Sequence, residues 1–245
     1  MTRRAVPSDC PASDLDPFGV EFLADPFPAV AELRATGPVV YLSAYDIWAV
    51  ARHAEVQAVL KDPERFSSAG GTGLTNVARQ GAWRKPSILL EVDPPLHTRN
   101  RAVVARAMSP KLLKALQDTF DEAAEDLVTG LLEKESLDAI AELAEVFPTR
   151  VFPDAFGLQA EGREYLLRYG ALVFNGNGPR NELFERSLEG ADEVIAWITA
   201  RCRREALNPD GLGAQIYRGV DDGEVTEDEV ALLVRSFLSA GIDTT

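Results

Sequence analysis

The residues best suited to chemistry stand at the end of the chain, where an apolar helical pattern changes into small and polar residues. Ala240 and Gly241 remove side-chain bulk, and Asp243 and Thr244 then add a carboxylate and a hydroxyl. Glycine inside a helix costs about 1 kcal/mol relative to alanine, so its presence calls for a reason. A groove floored by small residues, with an acid and an alcohol beside it, suits a small polar guest and a route for protons. A helix that simply ends at Gly241 is the alternative interpretation.

A second set of candidate groups lies in segment 93–101, which reads DPPLHTRNR. Aspartate followed by proline is typical of a helix start, and His97 and Arg101, four residues apart, share one face of that helix. Two potential cations in the first turns oppose the helix dipole, which favours anions there. A bound anion with paired carboxylates would remove this conflict. The alternative is a basic face in contact with solvent.

The elements that must position these groups are mostly helices. Thr226 and Glu229 form a capping box, from which a largely apolar and therefore buried helix should run to the chain end. Segments 93–108 and 109–134 should each form a helix that begins at a capping residue followed by proline. Further helical patterns cover residues 28–36, 54–60, 140–156, 160–175 and 181–206.

The N-terminal part carries the only β signal in the sequence. The β-rich runs 39–42 and 47–51 predict a hairpin. Residues 1–26 hold four prolines and are expected to form an extended leader, whereas residues 64–92 hold four glycines and form a long loop of the kind that usually has a function. The chain is therefore predicted to be mainly α with a small N-terminal β element, and residues 27–245 are assigned to one domain.

Composition argues against several classes of function. The 245 residues carry a net charge of −14, which disfavours binding to nucleic acid or to an anionic membrane surface. No run of eighteen apolar residues and no signal peptide is evident, so a cytoplasmic protein is expected. Two cysteines, Cys10 and Cys202, and two histidines provide neither a disulfide framework nor a metal site.

Four segments, in their order and spacing, resemble a cytochrome P450, a soluble bacterial haem-thiolate monooxygenase. They are 62–68 (DPERFSS), 93–99 (DPPLHTR), 109–110 (SP) and 240–245 (AGIDTT), of which the second and the last are the most specific. The resemblance covers nearly the whole chain. It implies the N-terminal part of such an enzyme, truncated within the long central helix.

The resemblance implies a role for each candidate group at the cofactor, which would be haem b. His97 and Arg101 would bind the haem propionates, and Ala240 and Gly241 would open the groove in which O2 binds.

By the same resemblance, Asp243 and Thr244 would form the acid–alcohol pair that delivers protons to dioxygen. That delivery favours O–O cleavage and suppresses loss of peroxide, and the axial thiolate acts in the same direction. Electrons are expected from a 2Fe-2S ferredoxin and its reductase, with Arg99 and Arg106 as candidate docking cations.

The cysteine loop that supplies the axial thiolate in this family has no counterpart in these residues. Cys10 lies in the proline-rich leader and Cys202 in a basic helical stretch, which is interpreted as surface, and neither is expected to bind iron. The ligand should therefore lie outside the 245 residues, and this chain is not expected to catalyse monooxygenation alone.

Two Arg–Ser sets could bind the substrate: Arg84 with Ser87 in the long loop, and Arg235 with Ser236 on the central helix. Such sets suit a carboxylate through charge-assisted hydrogen bonds. The pattern is similar to bacterial monooxygenases that hydroxylate or O-demethylate para-substituted benzoic acids. That resemblance places Arg84, Ser87 and Ser236 on the substrate carboxylate, with Arg235 nearby. The cavity would be lined by Leu90, Phe174 and Ser239.

Two other interpretations stay open. The chain could be a cofactor-free helical protein that binds an aromatic acid through the same Arg–Ser pocket, although Asp243 and Thr244 would then have no task. It could also be an inert product of a truncated reading frame. Coding DNA that continues into a cysteine loop would favour the oxygenase.

Overall fold

The computed structural model describes residues 10–80 and 84–243, apart from the side chains of Ala78 and Asp243. Most of these residues are helical, and a three-stranded sheet lies near the N-terminus, which confirms the predicted fold class. The chain forms two compact units, residues 1–68 and 69–245. The boundary between the units therefore falls inside the range that the sequence assigns to one domain.

The N-terminal unit contains the predicted hairpin. Strand β2 (Val40–Leu42) pairs antiparallel with β3 (Ile47–Ala49), with Tyr41 opposite Trp48. The turn between them contains Asp46 at a φ of 54°, a conformation that aspartate tolerates better than most residues.

The predicted extended leader is partly regular structure. A short strand β1 (Ala12–Ser13) adds to β2 in parallel, because the Tyr41 amide donates to the Pro11 carbonyl at 2.9 Å. Proline can take this edge position since only its carbonyl is needed. Three helices complete the described part of this unit: α1 (Val20–Ala24), α2 (Pro26–Thr36) and α3 (His53–Leu60). Helix α1 lies within residues 1–26, which were predicted to be extended.

The second unit is built from helices. Their bounds are α4 (Val77–Gln80), α5 (Leu96–Ala107), α6 (Pro110–Leu132), a π-helical stretch (Ile140–Ala144), α7 (Val146–Phe156), α8 (Tyr165–Asn175), α9 (Glu182–Ser187), α10 (Ala191–Arg201), a 3-10 turn (Arg204–Ala206), α11 (Leu212–Ile216), α12 (Arg218–Asp221) and α13 (Glu227–Asp243). The short helices α4, α11 and α12 are absent from the sequence prediction.

Several predicted helix boundaries are wrong. The helix predicted over 160–175 begins only at Tyr165. Helix α5 begins at Leu96 rather than at Asp93, because Pro94 stands before another proline and that position disfavours helical backbone angles. The predicted helix over 181–206 is divided by Gly190, which adopts a left-handed φ of 66° and separates α9 from α10.

Helix α13 is the central element of the second unit, and its start is as predicted. The Thr226 amide donates to the Glu229 carboxylate at 2.8 Å, and the Glu229 amide donates to the Thr226 hydroxyl at 3.3 Å. The capping box is thereby confirmed, and Val225 and Val230 are buried on either side of it. One side of α13 packs against α7, α8, α10 and α11 through Val230, Leu233, Val234, Leu238 and Ile242.

The opposite side of α13 is much less covered than the sequence predicts. Ser236 and Ser239 are half-buried and Ala240 is exposed among the described residues. Helix α13 therefore has one side in the core and one open side, here called the open side of α13. No helix within the described ranges is both long enough and apolar enough to span a bilayer.

Candidate functional site

The two residues predicted to form the oxygen groove lie on different sides of α13. Ala240 is exposed on the open side. Gly241 faces α7, where a Cβ atom placed on it would lie 2.5 Å from Cζ and 2.6 Å from Cδ2 of Phe152. The missing side chain of Gly241 therefore makes room for an aromatic ring of the core, a role that the sequence prediction did not include.

Replacement of Gly241 by alanine is expected to lower the free energy of unfolding by about 1–3 kcal/mol, because the added methyl group overlaps the Phe152 ring. Helix propensity predicts the opposite sign, a gain of about 1 kcal/mol. Urea unfolding of the chain measures the difference. Phe152→Leu in the same chain should recover part of the loss, and Ala240→Ser should change stability by less than about 0.5 kcal/mol. A more stable Gly241→Ala variant would contradict the packing role.

The predicted acid–alcohol pair is only partly visible. Asp243 is the last residue of α13, and its side chain is not among those described. Thr244 lies outside the described residues. The proton-delivery role of this pair stays a prediction.

His97 and Arg101 lie on the flank of α5. The core side of this helix consists of Asn100, Val103, Val104 and Ala107. His97 is half-buried and Arg101 is exposed, and neither side chain forms a hydrogen bond or an ion pair within residues 10–80 and 84–243. Both side chains are therefore available to bind an anion that does not belong to the described residues.

The neighbouring arginines of α5 are already paired. Arg99 forms an ion pair with Glu229 and Arg106 with Glu224. The hydrogen bond from the Thr226 amide, followed by the Arg99 guanidinium, lowers the pKa of Glu229. Since both arginine charges are compensated by glutamates of this unit, they are less suited to the predicted docking role than free cations would be.

The two predicted Arg–Ser sets, one in the loop and one on α13, lie next to each other. The Ser87 and Ser236 hydroxyl oxygens are 3.2 Å apart. The Arg84 and Arg235 guanidiniums both donate to the Lys85 carbonyl, at 3.1 Å and 2.7 Å. The loop thus brings Arg84 and Ser87 next to Arg235 and Ser236 of α13.

Arg84 has a carboxylate partner that the sequence analysis missed. Glu91 accepts from Arg84 Nη1 at 2.9 Å and from Nη2 at 3.3 Å, and its side chain is only 3% exposed. Burial alone would raise the pKa of Glu91, but the Ser87 amide and the Arg84 guanidinium outweigh it and hold that pKa below its usual value. The direct role predicted for Arg84 on a substrate carboxylate is therefore contested by Glu91.

The residues predicted to line the substrate cavity differ in their exposure. Leu90 is 55% exposed and Phe174 is 44% exposed. The Ser239 hydroxyl donates to the Ser236 carbonyl at 3.0 Å, along its own helix. Ser239 is half-buried, and the role of these three residues at a substrate stays a prediction.

A separate cavity of about 300 Å³ lies beside Arg235. It shares Arg84 and Arg235 with the serine site, but Ser87 and Ser236 are not part of its lining. Its other lining residues are Lys85, Tyr169, Ile195, Ile198, Thr199, Cys202, Arg203, Asp228, Ala231 and Leu232.

Cys202 is buried in the core, so its interpretation as part of a helical surface is wrong. Burial raises the pKa of the Cys202 thiol to about 12. The thiol therefore has little thiolate character near neutral pH and is not a reactive nucleophile.

The chain is similar to known proteins over most of its length. No family model matches the chain. The chain is 49% identical over 236 residues to cytochrome P450 CYP199A2 of Rhodopseudomonas palustris, with 96% of this chain and 57% of that protein covered. It is 28% identical over 227 residues to cytochrome P450 109 of Bacillus spizizenii, with 90% and 53% covered. The chain thus spans somewhat more than half of the length of these relatives.

Solved structures show the same fold. The chain superposes on epothilone D-bound cytochrome P450epoK with a TM-score of 0.77 and 24% identity, over 95% of this chain and 60% of that one. It superposes on CalO2 with a TM-score of 0.68 and 28% identity, over 94% and 59%.

Proposed function

Because this chain belongs to the cytochrome P450 family, we propose that the complete protein is a haem-thiolate monooxygenase that oxidises a small aromatic carboxylic acid. The Ser87–Ser236 hydroxyl pair, with Arg235 beside it, is the observation that carries the substrate class. The reaction would be hydroxylation or O-demethylation of a para-substituted benzoate.

Proteins of this family bind haem, which when bound supplies the activation of dioxygen. The residues of α5 fit this group, because haem brings two carboxylates and His97 and Arg101 have no partner for their side chains among the described residues. Arg99 and Arg106 do not fit equally well, since each already contacts a glutamate. We therefore assign the two propionates to His97 and Arg101.

The open side of α13 is where small and polar side chains remain available. Ala240 leaves this surface without bulk. Asp243 would hold a proton and the Thr244 hydroxyl would relay it, because a hydroxyl can donate one hydrogen bond while it accepts another. Gly241 supports this segment from the core side by allowing Phe152 to pack closely.

The Ser87 hydroxyl is prepared to donate to a carboxylate, whereas the Ser236 hydroxyl donates to the Leu232 carbonyl at 3.1 Å and would have to turn toward a ligand. Ser87 Oγ accepts from the Leu89 amide at 3.2 Å and from the Leu90 amide at 3.1 Å. With its lone pairs engaged in this way, the hydroxyl must donate its proton, either to Ser236 or to a ligand. A carboxylate oxygen accepts such a bond more strongly than a neutral group does.

The complete protein also needs an axial thiolate and a source of electrons. Cys202 is enclosed by core side chains of the helical unit, so we do not assign the thiolate to it. Electrons would come from a 2Fe-2S ferredoxin and its reductase.

The test is a comparison of 4-methoxybenzoate with 4-methoxybenzamide on the complete haem-bound protein. Calorimetry should show that the acid binds at least about tenfold more tightly. Ser236→Ala should reduce acid binding by about tenfold or more, because a hydrogen bond to a charged group is worth about 1.5–3 kcal/mol. Amide binding should change less.

Equal binding of acid and amide would rule out the proposed substrate class. The cofactor-free alternative is tested separately by the reduced carbon-monoxide difference spectrum of the complete protein. A spectrum without haem-thiolate absorption would exclude the monooxygenase.

A further inference from the structure

Asn100 is the most deeply buried polar side chain in the part of the chain that the structure describes. It is fully enclosed and lies on the core side of α5 together with Val103, Val104 and Ala107. These neighbours on the helix would suit an apolar residue, and a buried amide costs free energy unless its donor and its acceptor are hydrogen-bonded. An asparagine at this position therefore calls for a reason.

Both ends of the Asn100 amide are hydrogen-bonded. Nδ2 donates to the Ile88 carbonyl at 2.5 Å, and Oδ1 accepts from Arg99 Nε at 3.1 Å. Arg99 in turn forms an ion pair with Glu229 in the first turn of α13. Because a carbonyl can only accept and a guanidinium can only donate, these partners leave the amide a single orientation.

These bonds anchor α5 at the turn that carries the two candidate cations for the propionates. Asn100 directly precedes Arg101 and lies three residues after His97, so all three fall within about one helical turn. The loop at Ile88 and the start of α13 hold this turn from two directions. A shift of α5 would therefore have to break the bond to Ile88 or the ion pair with Glu229.

We propose that Asn100 is a positioning residue for the cofactor: it fixes the turn of α5 from which His97 and Arg101 reach the haem propionates. This inference rests on the proposed function and adds the residue that orients its two propionate-binding side chains. His97 and Arg101 form no hydrogen bond or ion pair within residues 10–80 and 84–243, so their direction depends on the helix that carries them. Asn100 is enclosed and acts through them rather than by contact with haem.

The experiment measures haem transfer from the complete protein to apomyoglobin for Asn100→Leu and Asn100→Asp. Leucine removes both hydrogen bonds at a similar volume, whereas aspartate can still accept from Arg99 but cannot donate to Ile88. Both variants should lose haem about tenfold faster than the parent, because misdirected cations lose hydrogen bonds to charged groups. Val103→Ala removes packing on the same side of α5, controls for lower stability, and should stay within about threefold of the parent.

A background without the two cations separates positioning from general structural support. In the His97→Ala/Arg101→Ala variant, adding Asn100→Leu should change the rate of haem loss by less than about twofold, because Asn100 acts only through these side chains. A further loss of about tenfold in this background would overturn the proposal, and so would parent-like rates in both single variants.

Two surface arginines keep the test decisive if the Asn100 variants do not fold by circular dichroism. Arg99 and Arg106 each form an ion pair from α5, but of the two only Arg99 donates to Asn100. Arg99→Ala leaves Asn100 Oδ1 unpaired and should lose haem at least about fivefold faster than the parent, whereas Arg106→Ala should stay within about threefold. Equal rates for these two variants would contradict the role of Asn100.

The outcomes also separate this inference from the proposed function. If Arg101→Ala retains haem like the parent, the placement of the propionates fails and the role of Asn100 fails with it. If Arg101→Ala loses haem while the Asn100 variants retain it, only the role of Asn100 is overturned.

Discussion

A Thr244→Ala variant of the complete protein is expected to consume reducing equivalents at nearly the parent rate while releasing most of them as hydrogen peroxide. The methyl side chain cannot pass a proton from Asp243, so the productive route slows relative to the loss of peroxide. Positioned proton transfer contributes about 10²- to 10⁴-fold to a rate, and product per NADH should therefore fall at least about tenfold. The measurement is NADH consumption, peroxide and oxidised substrate in the same reaction.

Two matched variants show whether the hydroxyl of residue 244 is responsible. Thr244→Ser keeps a hydroxyl and should retain coupling within about twofold, whereas Thr245→Ala removes the neighbouring hydroxyl and should leave coupling unchanged. Full coupling in Thr244→Ala, or an equal loss in Thr245→Ala, would remove the proton-delivery role from Thr244.

The features that the sequence predicted correctly are those with local causes. The capping box of Thr226 and Glu229 needs only residues three apart, and the structure shows both of its hydrogen bonds. The hairpin of β2 and β3 follows from two β-rich runs and a short turn. Such signals lie within a few residues of each other, so one sequence is sufficient to recognise them.

The features that the sequence missed depend on contacts between distant segments. Nothing near Gly241 indicates that Phe152 packs against it. The division between α9 and α10 at Gly190 depends on one left-handed residue, which a helical pattern on both sides conceals.

The candidate site shows the same division between local and distant causes. The motifs around His97 and Ser236 were visible as residue types at helical spacing. Glu91 was missed, although it lies in the loop that carries Ser87, because it meets its partners Arg84 and Ser87 only in the folded turn. The available signal was an acidic residue close to Arg84 in the sequence. Its burial could not be predicted, because this segment has no regular hydrophobic pattern.

We propose that the flank of α5 with His97 and Arg101 faces the cofactor. Arg101→Ala should therefore weaken retention of haem by the complete protein by about 10- to 100-fold, because a hydrogen bond to a charged partner is worth about 1.5–3 kcal/mol. Arg106 is the matched control on the same helix, since its guanidinium already contacts Glu224.

The most direct measurement is the rate of haem transfer from each variant to an excess of apomyoglobin, followed by absorbance. Arg101→Ala should lose haem about 10- to 100-fold faster than the parent, while Arg106→Ala should stay within about threefold of it. Equal rates for the two variants would contradict the placement of the propionates on this flank of α5.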